Sequence, residues 1–208
     1  MELDDTQLAE VGSLARRFGE PRRLSVAVRP FFDPLQRPDR FAEVCMVVRR
    51  RNGNVLLSIK TFYPRGAYRL PTGGIHHGES IFDALLRETR EETGLDAQVR
   101  RFLAAIDYRD AGAPSGPDIF HTFAFLLDET GGTLETRDTA EQIEDWIDVD
   151  PRSLADVADR LERITSREST EIGGDWADWG RFRAVVHRVV WEELSEDRFG
   201  REERSQPP

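Results

Sequence analysis

Three carboxylates, Glu88, Glu91 and Glu92, fall at i, i+3 and i+4 within GGIHHGESIFDALLRETREETGL, residues 73–95. On a helix, at about 100° per residue, this spacing gathers all three on one face. Ile81, Phe82, Leu85, Leu86 and Thr89 share the adjoining face, which reads as the one turned to a core. Like charges so spaced cost an isolated helix roughly 0.2–0.5 kcal/mol per pair, so the cluster needs a reason. Solvation at a surface is one reading. The other is a hard divalent cation, which takes several oxygen ligands. The preceding Leu70-Pro71-Thr72-Gly73-Gly74 shifts the weight toward the cation. Glycines tolerate positive φ and let backbone approach a ligand closely, and N–H groups there and at a helix start can meet phosphate oxygens. Gly73 and Gly74 with the carboxylate helix therefore describe a metal site for a phosphate substrate.

The elements that must hold such a site can be read around it. Ser80, with Asp83 three residues on, predicts the helix start, and Gly94 its end. Upstream, Leu8, Val11, Leu14, Ala15 and Phe18 predict a first helix stopped at Gly19-Glu20-Pro21. Leu24–Phe32 reads as a strand, Asp33–Asp39 as a loop, and Glu43–Arg50 with Val55–Lys60 as a hairpin around Asn52-Gly53. Tyr68-Arg69-Leu70 is a short run ending at Pro71. Downstream, Ala97–Tyr108, Ile119–Leu127 and Trp146–Val149 are expected strands, with a loop over Asp110–Asp118. Asp150-Pro151 opens another helix. Residues 165–174 read as a linker, and Asp175 caps a last helix with a long apolar stripe from Trp176 to Val190. The tail from Ser195 is charged and expected to fray. Mixed strands and helices in this order suggest an α+β sandwich.

Composition narrows the function classes. The 208 residues carry a formal net charge of -10, which disfavours general nucleic-acid binding and suits a site that concentrates divalent cations. Cys45, the single cysteine, rules out an intrachain disulfide and reads as a buried strand residue. No apolar run is long enough for a membrane span, and the acidic start lacks the apolar stretch of a signal peptide, so the cytoplasm is the expected location. The stripe on the last helix leaves two occupants open, the chain's own core or the partner in a homodimer.

The segment resembles the box of the Nudix hydrolases, G-x5-E-x7-R-E-U-x-E-E-x-G-U, where U is aliphatic. Gly73, Glu79, Arg87, Glu88, Glu91, Glu92, Gly94 and Leu95 match; Thr89 stands where an aliphatic is usual. A chance match to the fixed positions has odds of roughly one in a million. A looser similarity runs from Glu43 to Leu154 and includes Tyr68-Arg69-Leu70-Pro71 and Glu141-Gln142-Ile143-Glu144-Asp145-Trp146. The resemblance implies an αβα sandwich around a mixed sheet; the first 40 and the last 44 residues have no counterpart in it and read as helical extensions. The expected divisions are residues 1–40 as an N-terminal extension, 41–164 as the Nudix domain and 165–208 as a C-terminal helix and tail. It also implies Mg²⁺, replaceable by Mn²⁺, held by Glu88, Glu91 and Glu92, with Arg87 orienting a carboxylate and Glu79 supporting the loop. Glu141 or Glu144 is expected to add a ligand or the general base, and the choice between them stays open. Arg69 is a candidate phosphate clamp. The implied reaction is water attack at phosphorus on a phosphoanhydride, in a nucleoside diphosphate linked to another moiety or in a nucleoside triphosphate. The alternative is a nucleotide-binding regulatory protein on the same scaffold, which would be expected to lose box carboxylates. The markers that sort substrates within the family are absent or misplaced, so substrate identity stops here.

Overall fold

The computed structural model describes residues 3–29, 35, 40–113, 115–136 and 141–202, the last seven by backbone alone. A mixed sheet of seven strands lies between two helical layers. The sheet comprises β1 (Arg22–Val28), β2 (Arg40–Arg49), β3 (Val55–Lys60), β4 (Thr72–His76), β5 (Leu95–Asp110), β6 (Asp118–Gly132) and β7 (Ile143–Val149). Their order is β1-β5-β6-β2-β3-β7, with β4 paired to β2. The β1·β5 and β2·β6 pairs are parallel and the others antiparallel.

The near-continuous apolar run of β2 has a physical cause, since a strand covered on both faces has no polar side. Cys45 and Val47 enter one core cluster, and Val44, Met46 and Val48 enter the other. Helices α1 (Asp5–Phe18) and α2 (Ile81–Thr93) cover the second face; α3 (Leu154–Glu162) and α4 (Trp176–Glu202) cover the first. The Asn52-Gly53 hairpin forms as expected, with Gly53 at φ 86° and Arg50 bonded to Asn54 across the turn.

Several expected boundaries shift. β5, β6 and β7 begin earlier or run longer than their apolar cores suggest, because ladder pairing extends beyond the buried stretch. Residues 72–76 form strand β4 where a loop was expected, while the Tyr68–Leu70 run contributes only an isolated bridge from Arg69 to Ser58. The expected linker contains a small hairpin, β8 (Glu168–Ser169) with β9 (Gly174–Asp175). The tail expected to fray is helical through Glu202. The expected loop at Asp33–Asp39, apart from Leu35, and the end of the Leu24–Phe32 strand lie outside the described residues.

The flanking segments share the sheet and core. β1 adds an edge strand on β5. The α4 stripe, with Trp176, Trp179, Phe182, Val186 and Val190, is buried in the chain's own core. α3 and α4 cross closely at Gly180, where a Cβ would lie 2.2 Å from the Leu161 carbonyl oxygen. Gly180→Ala should therefore lower unfolding stability by about 1–3 kcal/mol through overpacking, read from urea denaturation. An unchanged midpoint would show that the helices separate without cost.

Candidate active site

Helix α2 is fixed at both ends. Ser80 Oγ accepts the Asp83 N–H, and Gly94 closes the other end in the left-handed region. A second cap comes from α1: the Glu10 carboxylate accepts the N–H groups of Ile81 and Phe82 at 3.0 and 3.1 Å. A carboxylate at a helix N-terminus satisfies orphan donors and complements the helix dipole. Thr89, the departure from the box, is buried and gives its hydroxyl to the Leu85 carbonyl at 2.6 Å, so the polar atom is not stranded.

The two glycines act through space, not through backbone angle. Neither Gly73 nor Gly74 has a positive φ; the left-handed residue in this loop is Gly78, at φ 82°. Both sit in β4, where a Cβ on Gly73 would fall 2.0 Å from Glu88 Cδ. The missing side chain is the room into which Glu88 is seated. The Gly74 carbonyl accepts from Arg87 at 3.0 Å.

Arg87 gathers the segment. Its guanidinium donates to both Glu79 oxygens at 2.7 and 2.8 Å, to Glu88 at 2.8 Å, to Glu91 at 2.9 Å and to Gly74. Glu79 also accepts the His76 N–H, and the Arg87 bonds hold its carboxyl below the usual range. Beyond α2, Glu141 meets Lys60 Nζ at 2.6 Å. Carboxylate oxygens of Glu88, Glu92 and Glu141 come within 4.8 Å of one another. Burial raises the Glu88 carboxyl and pushes Glu92 up to about 8. Burial is the largest influence on Glu141 and acts the same way, but Lys60, a hydrogen bond with Glu92 and the charge of Arg69 together outweigh it and the net shift is downward. Glu92 Oε2 is buried with no hydrogen-bond partner.

These groups line a cleft of about 980 Å³. Of the residues expected from sequence, Gly73, Gly74, Arg69, Arg87, Glu88, Glu91, Glu92 and Glu141 line it. Glu91 lies on its rim, 43% exposed and outside the trio. Glu144 does not reach the cleft; it is exposed on β7. Arg69 is buried, and its guanidinium serves Tyr63 Oη, the Leu70 carbonyl and Thr72 Oγ1. Cys45 is fully buried, which keeps its thiol protonated and unreactive. A second group, Asp107, Asp118 and His121, has ligand-like spacing, but Asp118 is paired with Arg109 and Asp107 with His121.

An unpartnered buried carboxylate oxygen beside two further carboxylates suits a divalent cation. The NUDIX domain family matches residues 39–167, well over half the chain. The chain belongs to the Nudix family. Over 98 residues it is 33% identical to an ADP-ribose pyrophosphatase of Methanocaldococcus jannaschii, covering 47% of this chain and 56% of that protein. Over 115 residues it is 33% identical to an NAD-capped RNA hydrolase of Vibrio atlanticus, covering 55% and 39%. The chain thus spans about half or less of these relatives. A C. elegans Ap4A hydrolase structure is similar with a TM-score of 0.48 and 16% identity, over 77% of this chain and 98% of that one. Family members generally use a divalent metal, and the carboxylate trio of this Nudix chain offers it a seat.

Residues to which no motif points brace the Nudix site from outside the matched stretch. Arg183 of α4 donates to both oxygens of Glu43 on β2 at 2.8 Å and to Thr72 Oγ1 at 3.2 Å, all buried. One turn on, His187 Nε2 accepts the Leu70 N–H at 2.9 Å while Nδ1 faces the Arg183 carbonyl at 2.7 Å. The available signal was two polar residues, Arg183 and His187, set four apart within an apolar stripe. Burial lowers His187 from 6.5 to about 3, so it is neutral, which its Nε2 acceptor role requires. With the folded pKa depressed, its stabilisation is complete above pH 6.5 and is lost as pH falls toward 3. Between pH 7 and 5 this amounts to roughly 2 kcal/mol. His187→Asn should flatten the pH dependence of urea stability over that window; equal slopes would remove His187 as its source.

Proposed function

We propose that the protein is a magnesium-dependent hydrolase of a phosphoanhydride bond in a nucleoside diphosphate linked to another moiety, or in a nucleoside triphosphate. The observation that carries the reading is the buried trio of Glu88, Glu92 and Glu141, with an unpartnered Glu92 oxygen, opening on a cleft that also holds Arg87 and Lys60. Glu88, Glu92 and Glu141 would hold Mg²⁺, or Mn²⁺ in its place, and Glu91 stands at the rim as a further ligand or proton acceptor. A bound ion would neutralise phosphate charge and make water more acidic. Arg87 aims Glu88 and Glu91, and Lys60 keeps Glu141 ionised. The remaining work is positioning and charge stabilisation, which dominate phosphoryl transfer. Since the α4 stripe is used within the chain, it lends no support to a homodimer.

The activity test is release of nucleotide or phosphate from diphosphate derivatives, dinucleoside polyphosphates and triphosphates, with Mg²⁺, with Mn²⁺ and with EDTA. Cleavage abolished by EDTA is expected; no turnover by folded, metal-loaded protein would favour the regulatory-protein reading. Glu92→Gln should lower kcat by orders of magnitude with the fold intact. Glu141→Gln should be severe and Glu144→Gln nearly silent; the reverse order would move the ligand to β7. Because Glu92 is protonated below about 8, Mg²⁺ binding near pH 7 should release about one proton. Calorimetry in buffers of different ionisation enthalpy reads this directly, and identical heats would remove Glu92 as the titrating ligand.

A further inference from the structure

Among the described residues, Gln142 is the one non-glycine with a positive φ, 53°. The left-handed region is costly for an L-residue with a Cβ, and glutamine is not one of the types that visit it readily. Such strain persists only where the surroundings enforce it, and it clusters at functional sites. Gln142 directly follows Glu141, the member of the carboxylate trio that does not come from α2.

The enforcing element is the end of a ladder. β3 and β7 pair in register from Val55 opposite Val149 to Ile59 opposite Asp145. Lys60 then pairs with Ile143, so Glu144 is an extra residue on β7, a bulge. Without the bulge, Lys60 would oppose Glu144, and Glu141 would lie one residue, about 3.4 Å, farther along the strand direction. With it, the Thr61 N–H donates to the Gln142 carbonyl at 2.9 Å. That bond fixes the Gln142 peptide, and the left-handed turn there takes the preceding residue out of the line of β7. Glu141 then meets Lys60 Nζ at 2.6 Å, with its carboxylate beside those of Glu88 and Glu92. The Gln142 side chain adds little, since its Oε1 lies 3.4 Å from Thr61 Oγ1. The backbone angle is what the site uses.

We propose that Gln142 is a positioning residue, whose left-handed backbone, set by the bulge at Glu144, delivers the Glu141 carboxylate to Glu88 and Glu92. The inference rests on the reading of that trio as a divalent-metal site and adds to it the device that completes the ligand set.

The experiment measures Mn²⁺ affinity by electron paramagnetic resonance on the full chain, in wild type, Gln142→Val, Gln142→Gly, Glu141→Gln and the Gln142→Val/Glu141→Gln double variant, with folding checked by circular dichroism. Valine is β-branched and is a genuine outlier at positive φ, so Gln142→Val should weaken Mn²⁺ binding about tenfold or more. Gln142→Gly should lose far less, because glycine adopts positive φ freely. In the Glu141→Gln background, Gln142→Val should add no further loss, since it acts through Glu141. Wild-type affinity in Gln142→Val, equal losses in the valine and glycine variants, or a full further loss in the double variant each overturns the proposal. If wild type binds no Mn²⁺, the metal reading fails by itself, and a metal-free measurement decides the positioning. Lys60 is the only lysine, so lysine-selective ¹³C labelling gives one side-chain NMR signal, from the group that touches Glu141. Gln142→Val should move that signal as Glu141→Gln does, and Gln142→Gly should leave it near its wild-type position. A signal unmoved by Gln142→Val overturns the positioning role.

Discussion

The guanidinium of Arg87 makes five donor contacts, to Glu79 twice, to Glu88, to Glu91 and to the Gly74 carbonyl, and so uses the whole fork of an arginine. The partners come from three parts of the site: strand β4, the loop after it, and helix α2. Lysine, a point charge with three donors, could not span them. The same contact offsets the repulsion among the helix carboxylates, which would otherwise drive Glu88 and Glu91 apart. The cost is that the carboxylates must come close to β4, and they can do so because residue 73 has no side chain where Glu88 is seated.

A second brace works on the opposite side of the sheet. Arg183 and Glu43 form a buried ion pair, an arrangement whose desolvation can cost as much as it returns. Thr122 and Thr72 add hydrogen bonds to the pair, and Thr72 Oγ1 also accepts from Arg69. The result ties β2, β4, β6 and α4 together beneath the cleft floor. His187 continues the tie to Leu70, three residues before Gly73. The box is thus held by α1 and α4, far from it along the chain, although the box itself spans only 23 residues, 73–95.

That division explains what could be read in advance. The box is local: the caps at Ser80 and Gly94, the carboxylate face and the Arg87–Glu91 pair follow from spacing along one helix, and they are where the residues suggested. The two-faced burial of the sheet was legible in the apolar run of β2. What depended on pairing across the fold was not. Strand β4 looked like a loop because its two adjacent glycines are disfavoured in strands, and it is a strand because β2 offers it a ladder. Glu141 and Glu144 are equivalent by sequence, and only the path of the chain beside β3 separates them. Arg69 read as a phosphate clamp, yet burial turns it inward to Tyr63 and Thr72. Glu10, Glu43 and Arg183 carry no motif at all; each acquires its role from a partner 71 to 140 positions away.

Those separations bear on how the protein is made. The Glu10 cap can form as soon as α2 exists, but the Arg183 clamp and the His187 bond to Leu70 require α4, which follows every other described element of the site along the chain. Long-range contacts are entropically expensive to close and come late. A chain still under synthesis would therefore display the box, with its cluster of carboxylates, before the floor beneath it was fastened. Strand β4 would be held only by its ladder with β2 during that interval. Completion of α4 is the event that sets the geometry of the glycines, and through them the seat of Glu88. Competence for chemistry should thus appear abruptly with α4, not accumulate as the sheet is laid down.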